Sequence, residues 1–233
     1  MKGRKKSGRE ILGIILFISL ALSIVFSLVR FLLAPESAPE GQEHIKVKSD
    51  YLLMLTQCTM GLVVMALPSM LSKRWKLGIP NFIYLLYYLF LYCAVFLGEV
   101  FEFYYLVPHW DTILHFFSGA MLGALGFILV DILNRDAHVR VNLSPLFVSL
   151  FAFSFALAAG AVWEIYEYAC DGLLGLNMQK YATEQGAELA GKAALADTMK
   201  DIIFDALAAL GVAVMGYLTN IRRKERENPA EIK

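Results

Sequence analysis

The stretch ILGIILFISLALSIVFSLVRFLL, residues 11–33, decides the fold, because over 23 positions only Arg30 carries a charge. An α-helix rises about 1.5 Å per residue, so this run is long enough to cross a hydrocarbon core about 30 Å thick. It is too long for the apolar region of a cleaved signal peptide, about 7–15 residues. Lys2, Arg4, Lys5, Lys6 and Arg9 precede it, the pattern of an uncleaved signal anchor. Lipid satisfies no backbone hydrogen bonds and no segment alternates as barrel strands do, so helix is the expected state.

Five further runs share this character: 51–71, 80–100, 110–133, 145–170 and 198–220. The expected fold is therefore all-α, a six-span transmembrane bundle over residues 11–220, with a cytoplasmic basic N-terminus (1–10) and a cytoplasmic tail (221–233). Composition agrees: 58% of residues are hydrophobic and 18% charged, against about half and about a quarter in soluble domains. The formal net charge is zero, which sets nucleic acid aside as a partner. Cys58, Cys93 and Cys170 lie in or beside apolar runs without metal-type spacing and read as packing residues.

Lys and Arg are retained on the cytoplasmic side, so their distribution tests the span count independently. Five stand in the N-terminus, then Lys73, Arg74 and Lys76, then Arg135 and Arg140, then Arg222, Arg223, Lys224, Arg226 and Lys233 in the tail. That is 15 of 21 on one expected side, alternating loop by loop, with both ends inside. Between them, residues 34–50 read as a solvated linker, and the longer 171–196 segment mixes leucines with polar residues as a partial lid along the interface would.

Ionisable groups inside spans cost about 2.5–3.5 kcal/mol each on insertion scales, so they face a partner or a wet cavity. The first two spans have almost none. The fourth carries Asp111, His115 and Asp131, the fifth Glu164 and Glu167, the sixth Asp201 and Asp205, with Asp171 and Asp197 at the flanking boundaries. The fourth and sixth spans run inward and the fifth outward, which puts His115 about 7 Å, Glu164 about 9 Å and Asp205 about 11 Å below the outer ends of their spans. Spacings of three and four place Asp111 with His115, Glu164 with Glu167 and Asp171, and Asp197 with Asp201 and Asp205 on single helix faces.

Three acidic stripes at one depth repel unless something neutralises them. The nearby basic candidates are His115, His109, Lys200 and Arg30, and the economical neutraliser is a divalent metal ion (Zn, Mn, Fe or Mg). The candidate metal ligands are Asp111, His115, Glu164, Glu167, Asp171, Asp197, Asp201 and Asp205. The candidate catalytic residues are His115, Glu164, Glu167 and Asp201, with Glu99 and Glu102 at the rim. Plainer roles compete: Asp111 beside Trp110 as an acidic helix start at the interface, Asp197 with Thr198 as a cap, His115 as an interhelical hydrogen-bond partner, and Asp131 paired with Arg135. Small residues at Ser118, Gly119, Gly123 and Gly126, at Ala158 to Ala161, and at Ala206, Ala209 and Gly211 would let the three helices approach closely.

The segments Trp110-Asp111-Thr112-Ile113-Leu114-His115, Trp163-Glu164-Ile165-Tyr166-Glu167 and Asp197-Thr198-Met199-Lys200-Asp201 resemble the YjdF-type family of bacterial integral membrane proteins, over roughly the last five spans. The resemblance implies a multi-pass protein of the bacterial plasma (inner) membrane and brings no activity with it.

The residues themselves suggest a metal-dependent enzyme acting from the extracytoplasmic side on a lipid-linked substrate. There is no H-E-x-x-H, P-loop or G-x-S-x-G signature to name the reaction. A cation or proton transporter or channel with a small cationic ligand, or a non-catalytic membrane subunit, would use intramembrane acids as well. No residue pattern specifies an oligomeric state, and the bilayer is the one partner the composition requires.

Overall fold

In a computed structural model the described residues are 7–37, 45–74, 79–135, 143–183 and 187–227. Among them the regular elements are helices: α1 (Gly8–Leu33), α2 (Lys48–Arg74), α3 (Asn81–Leu91), continued by a π-helical segment (Tyr92–Val100), a single turn α4 (Phe103–Leu106), α5 (Trp110–Arg135), α6 (Pro145–Leu174) and α7 (Ala196–Glu227); Ala182 and Glu188 form an isolated antiparallel bridge. Six helices are long and apolar enough to cross a membrane: Gly8–Leu33, Lys48–Arg74, Asn81–Val100, Trp110–Asn134, Pro145–Leu174 and Ala196–Arg223. Most run a few residues beyond the apolar stretch, because a helix continues into the headgroup region until a cap or turn stops it. Lys2, Arg4, Lys5, Lys6, Lys76, Arg140 and Lys233, which help set the orientation, and the Arg135 side chain expected beside Asp131 lie outside the described residues. Asp131 itself is exposed.

Two compact units are present, Met1–Leu114 with Tyr168–Ala194, and His115–Glu167 with Leu195–Lys233. In the first, α1 starts on a capping box: Ser7 Oγ accepts from the Glu10 N–H at 3.3 Å and the Glu10 carboxylate accepts from the Ser7 N–H at 3.0 Å. Its buried positions, Gly13, Leu16, Leu20, Ser23 and Ser27, follow steps of three and four. Leu16 and Leu20 enter a core with Met54, Cys58, Tyr84, Tyr88, Leu91 and Val95. The three cysteines are free thiols, with Cys58 and Cys170 buried, as packing residues should be.

Pro68 lies inside α2 and has no N–H, so the carbonyl of Val64 four residues earlier loses its helical donor. The Tyr87 hydroxyl donates to that carbonyl at 2.7 Å, and Tyr84 donates to the Pro68 carbonyl at 3.2 Å. A helix defect inside the membrane is thus satisfied by tyrosines of α3, as lipid could not do. Arg30, one of the expected counter-ions for the acids, instead donates to the Tyr51 hydroxyl at 3.0 Å and lies over that ring. A local aromatic partner satisfies the guanidinium in the last turn of α1.

The second unit packs α5, α6 and α7 on small residues. A Cβ placed on Gly119 would fall 2.5 Å from the Asp205 carbonyl oxygen, and one on Gly123 would fall 3.5 Å from the Cα of Ala209. With His115 beside Asp201 (3.9 Å), these contacts pair each α5 position with the α7 position 86 residues later, in steps of four (201 − 115 = 205 − 119 = 209 − 123 = 86). The two helices therefore run parallel in one register. The face that α6 buries includes Ala152, Ala156, Gly160, Glu164 and Glu167; of the expected Ala158 to Ala161 run, Gly160 is on it and Ala158 is exposed. Ala152 meets Gly126 of α5, where an added Cβ would lie 2.6 Å from the Ala152 Cα. A Cβ added on Gly211, expected at a helix contact, would meet nothing within 4 Å among the described residues.

Candidate metal centre

Within the second unit, His115 reaches its neighbours through the α5–α7 register. It enters five residues into α5 and Asp201 five residues into α7, so both side chains lie at one level. His115 is 8% exposed, Asp201 3% and Asp205 2%. The His115 Nδ1 stands 3.3 Å from Asp205 Oδ2, and its Nε2 stands 3.9 Å from Asp201 Oδ2.

The two carboxylates play different parts. Asp205 is held on three sides: Ser118 Oγ donates to its Oδ1 at 2.9 Å, His115 approaches its Oδ2, and Gly160 of α6 leaves the room that Oδ2 occupies, since a Cβ there would come within 2.5 Å. An ionised Asp205 accepting from Nδ1–H fixes the imidazole in the tautomer whose Nε2 carries a lone pair. That lone pair is then presented on the Asp201 side. A ring nitrogen held by a carboxylate, with the other nitrogen turned to a second carboxylate, is the arrangement found behind metal-bound histidines.

The donor set fits a divalent ion. Bonds of about 2.1 Å to nitrogen and oxygen span at most roughly 4.2 Å and, at a tetrahedral angle, roughly 3.4 Å. The 3.9 Å between Nε2 and Oδ2 lies inside that range. Imidazole with carboxylate suits Zn, Mn or Fe, and carboxylate-rich completion suits Mg. The buried Asp/His cluster could therefore hold a metal.

Glu164 and Glu167 are buried at 5% and 9% exposure on the α6 face that passes Gly160, with Glu164 one turn outward of that glycine. Asp197 is half-buried in the first turn of α7, one turn before Asp201, where an acid also favours the helix N-terminus. Of the basic residues expected near the acids, His115 is at them, while His109 and Lys200 are exposed.

Asp111 and Asp171 have partners of their own in the first unit. Asp111, one turn before His115 on α5, is ion-paired with Lys180, whose ammonium also faces the Tyr104 ring. Asp171 is buried and accepts from the N–H groups of Met178 at 2.7 Å and Gln179 at 3.0 Å. Asn177 braces the same turn through Ala182, accepting from its N–H at 2.9 Å and donating to its carbonyl at 2.8 Å. Residues 175–182 after α6 thus form a hydrogen-bonded strap that carries Lys180 to Asp111. Lys180 and Ser118 are the site residues that spacing did not single out, Lys180 because its contact closes 69 residues of chain. Of the two acids expected at the rim, Glu102 pairs with Lys46 and Glu99 is half-buried at the end of the π-helical segment.

Six helices long and apolar enough to cross a membrane, with a buried carboxylate–imidazole cluster, define a polytopic membrane protein. Residues 14–222 match the family described as Predicted membrane protein (DUF2238), and the chain belongs to that family. An uncharacterized protein of Thermotoga maritima is 28% identical over 121 residues, 52% of this chain and 54% of the relative, so the chain spans about half the length of the curated relative it matches. No solved structure matches the chain.

Proposed function

We propose that this chain binds a divalent cation in the outer half of its membrane domain and is a metal-dependent enzyme acting on a lipid-linked substrate from the extracytoplasmic side. The observation that supports it is the His115 ring held by Asp205 at Nδ1 and turned by Nε2 toward Asp201. In this reading His115 and Asp201 are ligands and Asp205 orients the ring. Asp111, one turn before His115 on α5, keeps its own ion pair with Lys180 in the first unit. Glu164 and Glu167 are acid or base groups on the α6 side, and Asp171 and Asp197 support the strap and the helix start.

A divalent ion would lower the pKa of bound water or polarise a phosphoryl or acyl oxygen. The protein's own part is to keep the pocket dry, to hold the His115 tautomer and to offer a carboxylate for proton transfer. Asp131 lies 16 residues further along α5, about 24 Å away, and is exposed, so it does not continue the cluster inward as a transport path would need. The motifs resembling the YjdF-type family support a multi-pass protein of the bacterial plasma (inner) membrane.

The test is metal analysis of detergent-purified protein, comparing wild type with His115→Ala, Asp201→Ala and Glu164→Ala. Stoichiometric metal in wild type, lost in His115→Ala and Asp201→Ala with helical content retained, is the expected result. Wild-type protein that takes up no Zn, Mn, Fe or Mg when each is supplied would end the reading.

A further inference from the structure

The geometry points to a second site, a groove for one anionic phospholipid at the N-terminal end of α1, independent of the metal centre. The groove, about 380 Å³, runs between α1, α2 and α3 in the first unit, with Arg9 and Glu10 at its mouth and Gly13, Phe17, Met65 and Tyr88 along its length. Its floor exists because residue 13 is glycine: a Cβ there would come 3.0 Å from the Tyr88 ring and 3.7 Å from the Met65 methyl. From Arg9 to Phe17 the groove follows α1 for about 12 Å, the upper part of an acyl chain.

The mouth selects the headgroup. The Arg9 guanidinium lies 3.6 Å from the centroid of the Tyr84 ring, and its Nη1 donates to Asn81 Oδ1 at 3.3 Å. Stacking fixes the plane of the fork, and a guanidinium has five N–H donors, of which Asn81 takes one. Such a preset fork matches the paired oxygens of a phosphodiester. Glu10 also borders the mouth, but its carboxylate is turned to the Ser7 N–H in the capping box. Lys2, Arg4, Lys5 and Lys6 precede this end in sequence and add attraction for an anionic leaflet. Basic pockets between transmembrane helices on the cytoplasmic side hold anionic headgroups by this chemistry, and the orientation expected from the basic residues puts the groove on that side.

The test is native mass spectrometry of the full chain in detergent with added phosphatidylglycerol or phosphatidylcholine of identical acyl chains. Wild type should retain a single phosphatidylglycerol with at least about fivefold preference over phosphatidylcholine. Arg9→Gln should bring the two lipids near parity, while Lys73→Gln, which removes equal charge at the same end of α2, should leave the preference as in wild type. No preference in wild type, an unchanged preference in Arg9→Gln, equal loss in Lys73→Gln, or a second copy of the chain in place of lipid would each overturn the proposal. If Arg9→Gln does not fold, Asn81→Ala frees the guanidinium from its brace and must weaken the preference; an unchanged value there overturns it as well.

Discussion

Asp205, among the candidate ligands by spacing, is the residue on which the proposed metal centre turns, because it also orients His115. Asp205→Asn preserves shape but removes the charge that holds the proton on His115 Nδ1, so metal affinity should fall about 10–100-fold while full occupancy is still reached at high metal. Asp201→Ala should not reach it, and a metal titration separates the two. Ser118→Ala, which deletes a 2.9 Å donor to Asp205 Oδ1, should move affinity the same way by less. The two glycines around Asp205 separate stability from binding. In Gly119→Ala the new Cβ meets the Asp205 backbone, which cannot swing aside, so thermal unfolding in detergent should report a loss of about 1–3 kcal/mol. In Gly160→Ala it meets the end of the carboxylate, which can rotate away from His115; stability should change less and metal binding more. A Gly160→Ala protein with wild-type metal affinity would show that Asp205 does not set the imidazole. His115 and the two aspartates were legible in the sequence because spacings of four on two parallel spans fix depth and face together. Ser118 was visible only as a small residue, and Lys180 not at all, because a side chain delivered by a folded strap leaves no periodic trace.

Helix by helix, the spans were readable from apolar length, and the departures from regularity were not. The π-helical continuation of α3, closed by the Phe101 N–H on the Phe96 carbonyl at 3.1 Å, has no marker in its composition. Its Cys93 carbonyl accepts from the Trp110 indole at 3.3 Å, so that tryptophan, expected as an interfacial anchor, also ties α5 to α3. Pro68 was visible, but its consequence depended on where Tyr87 would lie. Because the Tyr87 hydroxyl replaces the donor that proline lacks, Tyr87→Phe leaves the half-buried Val64 carbonyl without that donor and should cost about 1 kcal/mol. Pro68→Ala supplies the missing N–H, and in that background Tyr87→Phe should cost markedly less. A double-mutant cycle on unfolding free energy checks this coupling; additive costs would mean that the hydroxyl serves some other group.

The whole chain has no net charge, yet its charges are sorted: basic residues fill alternate loops, and the buried acids gather near the opposite ends of α5, α6 and α7. The sorting gives the molecule a direction that its six helices alone do not. With six spans, both ends are expected on one side, and the retention of Lys and Arg predicts that this side is the cytoplasm. Fusions test it. Alkaline phosphatase joined after residue 37 or residue 106 should be active, and joined after residue 74, 135 or 227 inactive, whereas a fluorescent protein at the last of these should mature. The pattern bears on both proposed sites, since it sends Arg9 to the inner leaflet and His115 with Asp201 to the outer half. An inverted pattern would bring Arg9 to the leaflet poorer in anionic lipid and open the metal centre to the cytoplasm, so a lipid-linked substrate approached from outside could no longer be its target.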